Sequence, residues 1–263
     1  MKLALGFNPV LSLQEASRIA SSAEGLGFDS VWMHESLFQR DVVTYISAMA
    51  GATNKIRLGS GVINTFTRHP VTAATTFATL SELSGGRVNL GVGLGSFPTI
   101  PLIGHQIFPV EKTKPLRRLK EYIRVVRAVW DGGKVDFDGE FVHLRGIRFL
   151  PKPMHRIPIW IGGGVEKSFQ RAIDKGDGFH VVGLKPPQVV PVVERLRRDR
   201  PDPSFTISAR TGWDPQGMDP GLIREERDAF ETAGIQHMIA APWQKDLDQW
   251  LRSMDLLAEL VGL

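Results

Sequence analysis

The chain has 263 residues, 42% of them hydrophobic, which suits one large domain over 1–263 with a sizeable core. Zero cysteines exclude disulfides, thiolate nucleophiles and cysteine metal sites. The formal charge of +4 is interspersed, and its one basic cluster, RLRRDR at 195–200, carries no aromatic residues and falls at a helix end, so a nucleic-acid face is not expected.

Residues 2–7 read as a first strand, with an apolar run too short for a signal peptide. No apolar run of about 18 residues follows, so the expectation is a cytoplasmic protein that does not enter the membrane. Ser12 and Glu15 have the spacing of a capping box. Leu13, Ala16, Ile19, Ala20, Ala23 and Leu26 then share one helical face, which Gly27 closes. A second strand at 30–33 ends at His34, Glu35 and Ser36, and a helix over roughly 41–52 follows.

Ile56, Leu58, Val62 and Ile63 form an almost unbroken apolar run, as in a strand buried on both faces. Arg68 and His69 lie in a loop, Pro70 opens a helix, Gly85 and Gly86 stop it, and 88–92 is the next strand. This βαβ unit places its functional groups at the strand C-termini, Gly61 to Asn64 and Gly93 to Ser96. A proline-rich loop leads to a helix at 114–130. Residues 135–149 alternate around Asp138-Gly139, a hairpin inserted on the outside. Strands at 157–161, 178–182, 205–209 and 237–240 alternate with helices from 166 and over 189–198, 220–233 and 246–261. Eight such alternations predict an α/β fold, a (β/α)8 TIM barrel with a small hairpin insertion.

Several motifs carry chemistry. Gly91, Gly93 and Gly95 imitate a dinucleotide fingerprint, but Pro98 and Pro101 leave no helix for the pyrophosphate. Gly162, Gly163 and Gly164 lie between a strand and a helix, where backbone N–H groups converge on a phosphate. Lys185, past the next strand, can add a positive charge. The plainer reading is a flexible turn and a solvated lysine. His34 and Glu35 are either a proton-transfer pair or part of a structural ion pair with Arg40 or another barrel arginine. His69 either steadies the loop before Pro70 or points into the mouth. The histidines lack ligand spacing, so no metal is expected, and no G-x-S-x-G elbow is present.

FDSVWMHESLFQRD (28–41), IRLGSGVINTFTRHP (56–70), ATLSELSGGRVNLGVGLGS (78–96) and IPIWIGGGVEKSFQRAIDKGDGF (157–179) resemble the bacterial luciferase-like monooxygenase superfamily. The chain is most similar to its deazaflavin-dependent branch, which includes methylene-tetrahydromethanopterin reductase and deazaflavin-dependent glucose-6-phosphate dehydrogenase. The resemblance implies an oxidoreductase that transfers hydride between 8-hydroxy-5-deazaflavin (coenzyme F420) and a small organic substrate, with a homodimer as the assembly. An FMN-dependent monooxygenase fed by a separate reductase is the alternative, and a non-catalytic deazaflavin or flavin binder a second one. The resemblance also implies a cis Gly61–Val62 bond behind the cofactor ring, phosphate contacts from Gly163, Gly164 and Lys185, Glu35 near the ring, and Asn64 at its edge. Two positions depart from the sugar-phosphate dehydrogenases: Glu35-Ser36 replaces their Asp-His, and Ser96 replaces a glutamate.

Overall fold

Most of the strands are short runs buried on both sides, and most of the helices pair an apolar stripe with an explicit cap. The computed structural model describes residues 1–7, 10–36, 38–94 and 114–263. In chain order the elements are β1 (Lys2–Phe7), α1 (Leu13–Leu26), β2 (Ser30–Met33), α2 (Val42–Ala52), β3 (Arg57–Ser60), β4 (Ile63–Asn64), α3 (Pro70–Ser84) and β5 (Val88–Gly93). There follow α4 (Pro115–Asp131), β6 (Lys134–Asp138), β7 (His143–Arg148), β8 (Ile159–Gly163), α5 (Glu166–Lys175), β9 (Gly178–Val181) and α6 (Pro186–Asp199). The chain ends with β10 (Thr206–Thr211), α7 (Pro220–Thr232), β11 (His237–Ala240) and α8 (Leu247–Val261). Gly95, Ser96 and the proline-rich loop lie outside the described residues.

All the strands except the β6–β7 hairpin run parallel in the order β3-β2-β1-β11-β10-β9-β8-β5-β4. Pairing of β3 with β5 closes the ring, so the expected eight-stranded barrel forms with β3 and β4 as one interrupted strand. Leu58 faces Val88, whereas Ile63 faces Val92, so one extra residue sits between the two pairings. The Gly61–Val62 bond in this bulge is cis. Ser60 Oγ bridges the break, 3.0 Å from both the N and the O of Gly91.

The local signals place the helices well. Ser12 and Glu15 make the reciprocal capping box, and Gly27 ends α1 with φ +90°. α6 starts at Pro186, three residues before the expected start at 189. Its first turn is two prolines, which supply no apolar periodicity but fit a helix N-terminus. The hairpin docks on α4 through Glu121, whose carboxylate accepts from the N–H groups of Glu140, Phe141 and Val142 at 2.7–2.8 Å.

Alternate residues of each strand face the barrel interior. Leu3, Leu5, Val31 and Met33 pack outward against the helices, while Ala4, Trp32, Trp160 and Ile239 form a separate inner cluster. The two indoles stack at 4.7 Å between centroids and plug the barrel. Gly59 and Gly178 make room for them: a Cβ on Gly59 would overlap the Trp32 ring, and one on Gly178 would lie 2.9 Å from Trp160. Gly59→Ala is therefore expected to lower stability by ~1–3 kcal/mol through overpacking. Urea denaturation checks this, and an unchanged midpoint would contradict the packing.

Candidate active site at the barrel mouth

Above the indoles, toward the C-terminal ends of the strands, the inward positions include three glycines, Gly6, Gly91 and Gly162, with Gly61–Val62 beside them. A Cβ on Gly6 would lie 2.7 Å from Ile239 and 3.2 Å from Arg210 Cζ, one on Gly91 would overlap the Ser60 carbonyl, and one on Gly162 would come within 3.1 Å of Val62. The glycines thus let Ile239, Arg210, the Ser60 carbonyl and Val62 pack directly against the backbone at the mouth.

Two polar side chains rise at this level. His34 follows Trp32 by two residues and so shares its inward parity. Burial, then the nearby Arg210 charge, push its imidazole down to about 4, so it is neutral at pH 7. Arg210, on β10, is lowered by burial, and among the described residues no carboxylate pairs with its guanidinium.

A buried hydrogen-bond chain runs across the barrel from β9 to β2. His180 Nδ1 lies 3.0 Å from Ser208 Oγ, which lies 2.9 Å from His237 Nδ1. His237 Nε2 is 2.9 Å from Ser30 Oγ and 3.4 Å from Asp29 Oδ2. Trp32 Nε1 donates to Ser30 Oγ at 2.9 Å, so the indole plug is keyed into the same chain. Burial alone would raise the Asp29 carboxyl, but its bond to His237 and the Arg57 guanidinium hold it well below the usual range. His180 is pushed down to about 3 by burial, Arg210 and His237.

A buried histidine with a depressed pKa gives stability a pH slope. The unfolded chain takes up the proton first, so stability is full above an unfolded pKa of ~6.5 and falls as pH drops toward the folded value. The loss contributed by His180 approaches ~1.4 kcal/mol per pH unit between about pH 6 and pH 4. Denaturation of His180→Gln across this range should show a slope shallower by about that amount. Identical slopes would contradict the burial of a neutral imidazole.

Glu35 turns away from the interior line and ties loops together. Its Oε2 accepts from Asn64 N at 2.6 Å and Thr67 Oγ1 at 2.8 Å, and its Oε1 from Arg68 Nε at 3.0 Å. The side chain is 8% exposed. Arg68 also pairs with Asp41, the N-cap of α2. The ends of β2, β4 and α2 thus meet on one carboxylate and one guanidinium, and the arginine is Arg68. Asn64 Oδ1 accepts from Phe66 N at 2.9 Å. His69 caps α3, its Nδ1 accepting from Val71 N at 3.3 Å.

Gly163 and Gly164 end β8 just before α5. Cβ atoms there would overlap Ser168 Oγ and come within 2.5 Å of the Val182 carbonyl. Lys185 caps α6 on the next strand's loop, 73% exposed, with Nζ 2.9 Å from Glu226 Oε1. Glu226 Oε2 accepts from buried Trp213 Nε1 at 2.6 Å. Among the described residues no cluster of three or more His, Asp or Glu could hold a metal ion, and no helix is long and apolar enough to cross a membrane.

Arg210, His180 and the indole pair do not stand out as site residues in the sequence. The usable signal is one polar residue at inward parity within a strand that is otherwise apolar, as in FHV and ISA.

The sequence model of the luciferase-like monooxygenase family matches residues 5–216. The chain belongs to this family. It is 30% identical over 240 residues to 5,10-methylenetetrahydromethanopterin reductase of Archaeoglobus fulgidus, covering 90% of this chain and 64% of that protein. It is 34% identical over 251 residues to F420-dependent glucose-6-phosphate dehydrogenase of Mycobacterium avium, covering 87% and 74%. The chain thus spans somewhat less than two thirds of the first relative and about three quarters of the second. Monooxygenase RslO1 from Streptomyces bottropensis superposes with a TM-score of 0.87 over 99% of this chain and 98% of that one, at 20% identity, which establishes the shared fold.

Proposed function

We propose that this luciferase-like protein is an oxidoreductase that moves hydride between coenzyme F420 and a small organic substrate. The observation that carries the reading is the pair of partly buried polar side chains, His34 and Arg210, at the C-terminal ends of β2 and β10. Support comes also from the relatives at 30% and 34% identity, one of them named F420-dependent.

F420 supplies a carbon centre that accepts or gives hydride, and the protein supplies orientation and charge. Gly61, Val62 and Asn64 would line the ring. Gly162, Gly163, Gly164 and the N-terminus of α5 would hold the phosphate, with Lys185 adding charge. His34, neutral and inward, moves the proton that accompanies hydride at the substrate oxygen. Arg210 stabilises negative charge developing in the mouth. Glu35 acts as a positioning residue, fixing the loop after β4 against the end of β2. A homodimer, the assembly implied by the resemblance, is read by light scattering.

Titration of F420 into Lys185→Ala at several salt concentrations tests the phosphate side. The variant should bind about tenfold more weakly and show a flatter salt dependence. Equal affinity and equal slope would remove Lys185 from the site and leave it as the partner of Glu226.

A further inference from the structure

A cavity lies beside the end of β4. It has a volume of ≈ 280 Å³, between the loop after β4, α4 and the hairpin. An apolar cavity of about 150 Å³ accepts benzene, so this one has room for a ring with a substituent.

Three of the residues that line it each hold a buried polar atom without a hydrogen-bond partner: Thr65 Oγ1, Arg118 Nε and Tyr122 Oη. Thr65 and Tyr122 are each 2% exposed. Buried polar atoms are normally paired, and three orphans around one cavity are a prepared set of donors. The Arg118 guanidinium lies 4.8 Å from the Phe141 ring centroid and 5.5 Å from that of Phe66, so it is flanked by flat apolar surfaces.

Arg118 supplies the cationic end of the cavity. Arg118 has no carboxylate partner among the described residues, and with burial it depresses His69 at the rim. Arg68 is engaged by two carboxylates, Glu35 and Asp41, and offers no free charge. Two carboxylates oppose Arg118: Glu121, whose oxygens are turned onto the backbone amides of 140–142, and Glu35, whose charge reaches Tyr122 but whose oxygens are held by Asn64, Thr67 and Arg68. With Nδ1 of His69 accepting from Val71, its Nε2 is left as a fourth donor. Donors, a cation and aromatic walls together select a planar acid.

We infer that this cavity binds a small planar organic carboxylate, with the carboxylate on Arg118, Tyr122 and Thr65 and the ring or double bond between the aromatic side chains. The site does not depend on which cofactor occupies the mouth.

Calorimetric titration of the full chain with benzoate and with benzamide tests it. Benzoate should bind in the millimolar range or better, and benzamide, isosteric but uncharged, about tenfold more weakly. Arg118→Met should weaken benzoate about tenfold or more, since a charged hydrogen bond is lost. Tyr122→Phe removes only an unpaired buried hydroxyl, so it should weaken benzoate several-fold while the melting temperature holds or rises. A purely structural tyrosine would leave benzoate affinity untouched. Should Arg118→Met fail to fold, Tyr122→Phe and Thr65→Val carry the test. No benzoate binding up to about 10 mM, equal affinity for benzamide, or full affinity in the folded variants would each overturn the proposal.

Discussion

His34→Gln is expected to slow single-turnover hydride transfer by ~10²–10⁴-fold while leaving F420 affinity nearly unchanged. The imidazole stands at inward parity above Trp32, and burial beside Arg210 keeps it neutral at pH 7. A neutral imidazole can take a proton from a substrate hydroxyl or share one with a substrate carbonyl. Glutamine keeps similar bulk and hydrogen bonding but does not titrate in this range. The test uses the best reactant from a panel of small alcohols, sugar phosphates and conjugated carbonyls, and the pH profile of the rate should lose one ionisation. Glu35→Gln should behave differently. It weakens the hold on Asn64, Thr67 and Arg68, so cofactor affinity and melting temperature fall along with the rate. Parent-like rates in His34→Gln would move the proton carrier elsewhere in the mouth.

Arg87→Met is expected to cost ~3–5 kcal/mol of stability, read by urea denaturation at pH 7. Arg87 Nε donates to Ser84 O at 2.6 Å. Its terminal nitrogens donate to Thr53 Oγ1 at 3.0 Å, Ile56 O at 2.7 Å, Ala50 O at 3.2 Å and Thr53 O at 2.9 Å. One side chain therefore satisfies the C-terminal carbonyls of α2, the entry to β3 and the end of α3. Methionine keeps much of the apolar stem and removes every donor, leaving those carbonyls unpaired. A loss below about 1 kcal/mol would show that water takes over the guanidinium's role.

The barrel was legible because its signals are local. Ser12 and Glu15, Gly27, Pro70 and the apolar runs of β1, β2 and β5 each act within a few residues. Residues 56–63 read as one strand because the extra residue that splits β3 from β4 leaves the apolar run nearly unbroken. The resemblance alone pointed to the Gly61–Val62 bulge. Side-chain partners brought together by barrel closure were not legible. The Glu35–Arg68 pairing spans 33 residues and the Ser30–His237 bond spans 207, and neither has a local pattern. Lys185 lies in the loop after β9, but sequence spacing carries no trace of Glu226, its partner on α7. The Thr65–Arg118–Tyr122 cavity depends on how the loop after β4, α4 and the hairpin meet.

The most direct measurement is the affinity of the purified protein for F420 against that for FMN, followed by tryptophan fluorescence, which the Trp32–Trp160 pair should report from beneath the mouth. Saturable quenching by F420, with FMN at least about tenfold weaker, is the expected result. Equal or tighter binding of FMN, or no binding of either, would contradict the proposed F420 chemistry.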